Sequence, residues 1–214
     1  MIHGWPDNAD VWEPQVQALK HMYRCARFTL PGFNLNDEKK GWTIPEITKL
    51  ILNITEQISP DKPVILMMHD WGCAFGFQFY HQHPNKISKI ISIDIGDWFT
   101  WKQSASKAVQ KAAYLYQALL AFAWRIGGPI GNGISRVMAR LMQSPTHSHQ
   151  ITYTMNYPYQ MFWFGGDESY QNYAEPFNPT CPFLFVFGTK KPFCLLYTSP
   201  SPRDQRGSRM PSSA

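Results

Sequence analysis

The stretch "VILMMHDWGCAFG", Val64 to Gly76, decides how this chain is read. Five apolar residues, Val64 to Met68, run straight into His69-Asp70-Trp71-Gly72. A continuous apolar run fits a strand buried on both faces of a parallel sheet. An aspartate directly after it is an expensive placement, because a carboxylate taken out of water needs compensation. A helix opening at Trp71 supplies some, since its positive end faces the aspartate. Gly72, Cys73, Ala74 and Gly76 are small enough for backbones to approach closely there. The pattern predicts a strand over about 63–68, a tight turn carrying Asp70, and a helix from Trp71 to about His83.

Working outward, "SKIISIDIG" at 88–96 reads as the next strand. Strand, helix and strand at this spacing make a βαβ unit, hence a parallel sheet. Upstream, "TIPEITKLILNITEQIS" opens on Thr43 with Glu46 three residues later, a capping box. Ile44, Ile47, Leu50, Ile51, Ile54 and Ile58 then share one helical face. "ARFTLPGF" reads as a short strand, Ala26 to Leu30, ended by Pro31-Gly32, and a helix is expected over about 9–22 after a Gly-Trp-Pro turn. From Trp98 to Phe177 the pattern turns helical, with stretches at Ser104–Arg125 and Ile134–Gln143. A Gly-rich break, "IGGPIGNG", separates them, and the aromatic-dense "YTMNYPYQMFWFGG" follows. Sheet-like residues return in "CPFLFVFG" at 181–188.

The fold class is therefore α/β, a mostly parallel sheet with a helical lid. The core is expected at 1–97, the lid at 98–177 and a returning core strand at 178–193. "MIHGWP" begins where a strand should be ending, and the sheet is expected to be truncated at both ends. The segment "CLLYTSPSPRDQRGSRMPSSA", 194–214, has no periodicity. It resembles translated library-adaptor sequence, and is expected to be a disordered, non-native tail.

A chain of 214 residues, 44% hydrophobic and 16% charged, suits one domain with a sizeable core. The formal charge is +5, of which Arg203, Arg206 and Arg209 against Asp204 supply +2 in the tail, leaving +3 elsewhere. No Lys/Arg cluster of the kind that binds nucleic acid is seen. Cys25, Cys73, Cys181 and Cys194 form no C-x-x-C pair and read as free thiols of a reducing compartment, which makes a cytoplasmic location the expectation. The close histidine pairs, His81/His83 and His147/His149, have no third ligand nearby, so neither a metal nor a cofactor is expected. No apolar run reaches the roughly 18 residues of a membrane span. The expected partner is a small-molecule substrate, with no nucleic acid and no membrane. The oligomeric state cannot be read from the sequence.

A strand, then x-His-nucleophile-x-Gly, then a helix is the nucleophile elbow of α/β-hydrolases, with aspartate in place of serine. "HDWG" at 69–72 resembles the elbow of the epoxide hydrolase and haloalkane dehalogenase branch of that fold. "HGWPDNADVW" at 3–12 resembles the branch's His-Gly-x-Pro oxyanion loop, and "LPGF" at 30–33 sits where its next strand ends. The resemblance covers residues 1 to about 193. It implies that the Asp70 carboxylate attacks an sp3 carbon to leave an alkyl-enzyme ester, which histidine-activated water then cleaves. It assigns the backbone N–H groups of Trp5 and Trp71 to the oxyanion, and His3 and His69 to bracing their loops.

The acid that orients the histidine has two homes in this fold. After the lid, "FGTKKP" offers Lys190 and Lys191 and no acid. After the elbow helix, "ISIDIGD" offers Asp94, the better match, and Asp97. Two lid tyrosines are implied as donors to an epoxide oxygen; Tyr153 and Tyr157 are the preferred pair among Tyr114, Tyr116, Tyr153, Tyr157, Tyr159 and Tyr170. Dehalogenases of the branch commonly have Asn where Trp5 stands, which favours the epoxide hydrolase reading. The family's histidine follows the final strand, whereas all seven histidines here precede residue 183. An enzyme that is alkylated once and stalls is therefore expected. A haloalkane dehalogenase, an esterase-like hydrolase, a non-catalytic ligand-binding domain or an inactive fragment are the alternatives.

Overall fold

The apolar run forms β1, Val64–His69, and the helix behind it is α3, Trp71–Gln82. The computed structural model describes residues 1–188, so Lys190, Lys191, Cys194 and the 194–214 tail lie outside the described residues. Ahead of β1 stand α1 (Glu13–Leu19), preceded by a 3-10 turn at Ala9–Trp12, and α2 (Ile44–Ile58). Strand β2 (Ile87–Ile93) lies parallel to β1, and β3 (Phe183–Val186) lies parallel to β2, giving the order β1-β2-β3. On the other side of β1, Ile2 bridges to both Met68 and Phe28. The Ala26–Leu30 strand expected from sequence is reduced to that single bridge, beside which the Met1 amino group donates to the Ala26 carbonyl oxygen at 2.8 Å before the chain turns at His3-Gly4.

Helix α2 begins as its sequence dictates. The Thr43 hydroxyl accepts from the Glu46 N–H at 3.3 Å and the Glu46 carboxylate accepts from the Thr43 N–H at 2.9 Å, completing the capping box. The buried face differs from the expected one. Ile44, Ile47 and Ile51 are buried, but so are Thr48 and Thr55, while Leu50, Ile54 and Ile58 are half-buried. The threonines can go inside because each hydroxyl donates to the backbone of its own helix, at Pro45 and Ile51.

Between β2 and β3 the regular elements are helical: α4 (Trp98–Ser104), α5 (Lys107–Ile126), α6 (Gly128–Leu141), α7 (Tyr157–Phe164) and α8 (Tyr170–Tyr173). The expected Gly-rich break is shorter than its composition suggested. Gly127 and Gly128, at φ 68° and 57°, make the turn, and α6 then runs on through Gly131 and Gly133. Gly131 is needed there, since a Cβ on it would stand 2.5 Å from the Ala123 carbonyl oxygen of α5.

Helix α3 sits directly on the sheet. A Cβ on Gly72 would fall 2.4 Å from the Ile2 carbonyl oxygen and 2.5 Å from that of His3. Neither is a side chain that can swing away. Gly72→Ala is expected to destabilise the fold by about 3 kcal/mol or more, through forced backbone displacement. Gly133→Ala meets nothing within 4 Å inside α6, and is expected to stabilise by roughly 0.5–1 kcal/mol. Urea denaturation of the two variants beside the parent checks the opposite signs.

Candidate active site

Asp70 occupies the turn between β1 and α3 at φ 52° and ψ −126°. A non-glycine residue with positive φ is held there only when its surroundings fix it. Here they do. The Trp5 N–H donates to Asp70 Oδ1 at 2.7 Å, and the Trp71 N–H also bonds the carboxylate. Gly4 makes this possible, because a Cβ at that position would lie 2.4 Å from Asp70 Oδ1. The Trp5–Pro6 peptide bond is cis. The two N–H groups singled out in the sequence therefore converge on the carboxylate of the residue they were expected to serve.

Burial pushes the Asp70 carboxyl above the ordinary carboxylate range, while the His69 charge and the Trp71 and Trp5 N–H groups pull against it. His69 lies between two acids. Its Nε2 is 3.2 Å from Asp94 Oδ2 and its Nδ1 is 3.7 Å from Asp7 Oδ2. Burial alone would depress the imidazole, but the Asp94 hydrogen bond and the charges of Asp70, Asp7 and Asp94 outweigh it and raise its pKa. His3 has another character. Leu30 N–H donates to its Nε2 at 2.8 Å, and its Nδ1 lies 3.0 Å from the Gly4 carbonyl oxygen. It is a neutral strut that ties the Gly4 loop to residue 30.

Both acid candidates follow β2. Asp94, itself at φ 69°, is buried and faces His69. Asp97 caps α4, accepting from the Thr100 N–H and hydroxyl at 3.0 Å each, and from the Phe177 N–H at 3.3 Å.

A small cavity opens over Asp70, lined by Trp71, Trp98, Tyr116, Tyr159, Phe162 and Tyr170 among others. Its volume of about 50 Å³ suits a few waters or the reacting end of a small molecule. The preferred tyrosines are a correction. Tyr157 is buried against Phe33 and Phe75, and Tyr153 packs on Gly127 beneath Lys39, so neither lines this cavity. On α7 the residues that reach it are Tyr159 and Phe162, three apart on one face, with Tyr157 rotated off that face. Tyr116 arrives from α5 and Tyr170 from α8. Helical phase inside "NYPYQMF" was the available signal, but it does not say which face looks at Asp70.

Two polar clasps join the helical segment to the Gly4 loop, and neither has a local sequence signal. Trp5 Nε1 donates to Asn156 Oδ1 at 2.7 Å, and Asn156 Nδ2 donates to Ser135 Oγ at 2.7 Å. The Thr146 hydroxyl donates to Asp7 Oδ1 at 2.5 Å. Asn156 is fully buried.

A family model described as alpha/beta hydrolase fold matches residues 1–193. This chain belongs to the α/β-hydrolase family. Within it, proteins named as epoxide hydrolases are among those this chain is similar to. Epoxide hydrolase 1 of Caenorhabditis elegans is 33% identical over 97 residues, covering 44% of this chain and 24% of the relative. Epoxide hydrolase 2 of the same organism is 26% identical over 121 residues, covering 54% and 34%. The matched stretches thus span only about a quarter and a third of those relatives. Among solved structures, an epoxide hydrolase variant from Bacillus megaterium superposes with a TM-score of 0.67 at 16% identity, covering 96% of this chain and 78% of that one. In this α/β-hydrolase the three parallel strands, the elbow turn and the helical segment between β2 and β3 follow the family fold. Among the described residues, no helix is long and apolar enough to cross a membrane.

The strut made by His3 has a pH signature. Burial pushes the His3 imidazole down to about 4, from 6.5 when unburied. Above pH 6.5 folded and unfolded states are both neutral at this residue, so it adds no pH dependence there. Below it the unfolded chain binds the extra proton, and stability should fall by about 3 kcal/mol on reaching pH 4. Chemical denaturation between pH 7 and pH 4 should show this loss, and His3→Gln should flatten it.

Proposed function

We propose that this chain is a hydrolase that uses Asp70 as a nucleophile on small apolar epoxides. The observation that carries the reading is the Asp70 carboxylate itself, set in a left-handed turn at a strand end, with the Trp5 N–H at 2.7 Å and an aromatic cavity above it. An Asp70 oxygen attacks the less hindered epoxide carbon while that carbon's bond to the ring oxygen breaks. The ring oxygen leaves with the electron pair and takes a proton from a phenol. An alkyl-enzyme ester results. Tyr116 and Tyr159, whose ring centroids lie 6.2 Å apart in the cavity wall, are the proposed phenols. Residues 98–177 act as the lid that carries them.

Release needs water at the Asp70 carboxyl carbon. The negative charge formed on Oδ1 would be met by the same Trp5 and Trp71 N–H groups. The proposed role of His69 is electrostatic. With a carboxylate near each ring nitrogen its protonated form is favoured, and that charge opposes the rise that burial imposes on Asp70. Asp94 is accordingly proposed as the acid that positions His69, and Asp97 as a helix cap. His69, whose Nε2 is taken up by Asp94, and His3, bonded at both ring nitrogens, are poor bases, and no histidine lines the cavity among the described residues. Ester formation should therefore outrun ester hydrolysis in this chain. The haloalkane reading is weaker, because the Trp5 indole N–H that would bind a halide is already given to Asn156.

Intact-mass spectrometry with a terminal epoxide tests this. One adduct per chain is expected, on the peptide containing Asp70, with little diol released; Asp70→Asn should show none. Tyr159→Phe should slow adduct formation by about a hundredfold. Because burial raises the Asp70 pKa, the rate should climb with pH through a value above the usual carboxylate range, and His69→Gln should push that climb higher still. An unmodified chain that binds the epoxide reversibly would favour the ligand-binding alternative. Sustained diol formation would show that a histidine of this chain serves as base.

A further inference from the structure

Up to Gly166 the lid carries charge of one sign, its acids, Asp167, Glu168 and Glu175, all falling after α7. From Trp98 to Gly166 there is no aspartate or glutamate, whereas Lys102, Lys107, Lys111, Arg125, Arg136 and Arg140 all fall there. All but Arg136 are exposed. The same segment leaves large apolar side chains in water, and it does so in register. On α5, Leu115, Leu119, Phe122 and Ile126 are exposed at helical spacing, while Ala113, Leu120 and Ala121 on other faces are buried. On α6, Ile130, Val137 and Leu141 repeat the pattern. These are not marginal exposures: Leu115 is 73% exposed, Leu141 70% and Ile130 65%.

Neither stripe is needed to hold the fold. The packing of α5 and α6 on each other and on the core uses the small and buried positions, Ala123 against Gly131 among them. Lys111 and Lys107 extend the α5 stripe one and two turns beyond Leu115. At its other end the Arg125 guanidinium lies 4.6 Å over the exposed Phe164 ring. Apolar stripes on helices whose own charged residues are all cations have a specific complement. A bilayer bearing anionic headgroups takes the apolar side chains below its phosphates and pairs the lysines and arginines with them. A second copy of this chain would instead set two uniformly cationic faces against each other.

We propose that the α5–α6 hairpin is a docking surface for an anionic lipid bilayer. The proposal stands apart from the chemistry of Asp70. It also gives α5 two working faces, since Tyr116 and Gln117 on its inner side line the cavity. Docking on the outer side places that cavity about one helix diameter, roughly 10 Å, from the lipid.

The test is co-sedimentation of the full chain with phosphatidylcholine vesicles, with and without about 30 mol % phosphatidylserine. Binding to the anionic vesicles is expected, weakened about tenfold or more without phosphatidylserine or in about 0.5 M salt. Leu115→Ser/Phe122→Ser should abolish it, with an unchanged circular dichroism spectrum because both side chains are exposed. Lys107→Glu/Lys111→Glu should weaken it by about tenfold or more. Variants that bind as the parent does would place the contact elsewhere, in the Arg-containing tail for instance, and overturn the proposal. A parent that ignores vesicles overturns it as well, whether it stays monomeric or forms a lipid-independent dimer on sizing.

Discussion

The approach of the Gly4-Trp5 backbone to the Asp70 carboxylate is the constraint around which the rest of this structure is arranged. It demands glycine at 4 and 72, where no Cβ fits, and it forces Asp70 into a backbone conformation that few residues adopt. Those demands are met only if β1 ends at His69, α3 starts at Trp71 and residue 2 pairs with β1. The end of β1, the start of α3 and the path of the Gly4 loop all meet at one hydrogen bond of 2.7 Å. A carboxylate buried this deeply is tolerated because it is met by two N–H groups and by His69, whose charge is in turn shared among Asp7, Asp70 and Asp94.

Much of this was legible in the residues. The apolar run, the HDWG turn and the capping box specify local backbone states through short-range chemistry, and the elements lie where that chemistry puts them. What was not legible depends on which face of an element meets which neighbour. Tyr157 and Tyr159 are two residues apart on one helix; only packing against Phe33 and Phe75 turns the first inward and leaves the second over Asp70. The glycines of "IGGPIGNG" read as a break because glycine is a poor helix former. Gly131 sits inside α6 because the Ala123 carbonyl leaves it no room for a side chain, a tertiary fact without a local signal. Asn156 and Thr146 carry no local signal for the same reason, since their partners are 151 and 139 residues away.

The lid stripes illustrate a different blind spot. Leucine, phenylalanine and isoleucine at helical spacing look the same whether the face is packed against protein or left bare. The expectation of no membrane partner rested on the absence of a segment long enough to span one. Lying on a bilayer requires no such length, only a one-sided charge and an uncovered apolar face, and α5 and α6 have both.

The two clasps between lid and loop have a mechanical meaning. Trp5 supplies an N–H to Asp70 with its backbone and holds Asn156 with its indole, so one residue ties the Asp70 turn to the helical segment above it. Asp7, two residues on, both grips Thr146 and stands beside His69. Lifting that segment strains the same short loop that keeps the carboxylate aligned. For the proposed chemistry this is an interlock: displacing Asn156 or Thr146 would loosen the loop that aligns the Asp70 carboxylate.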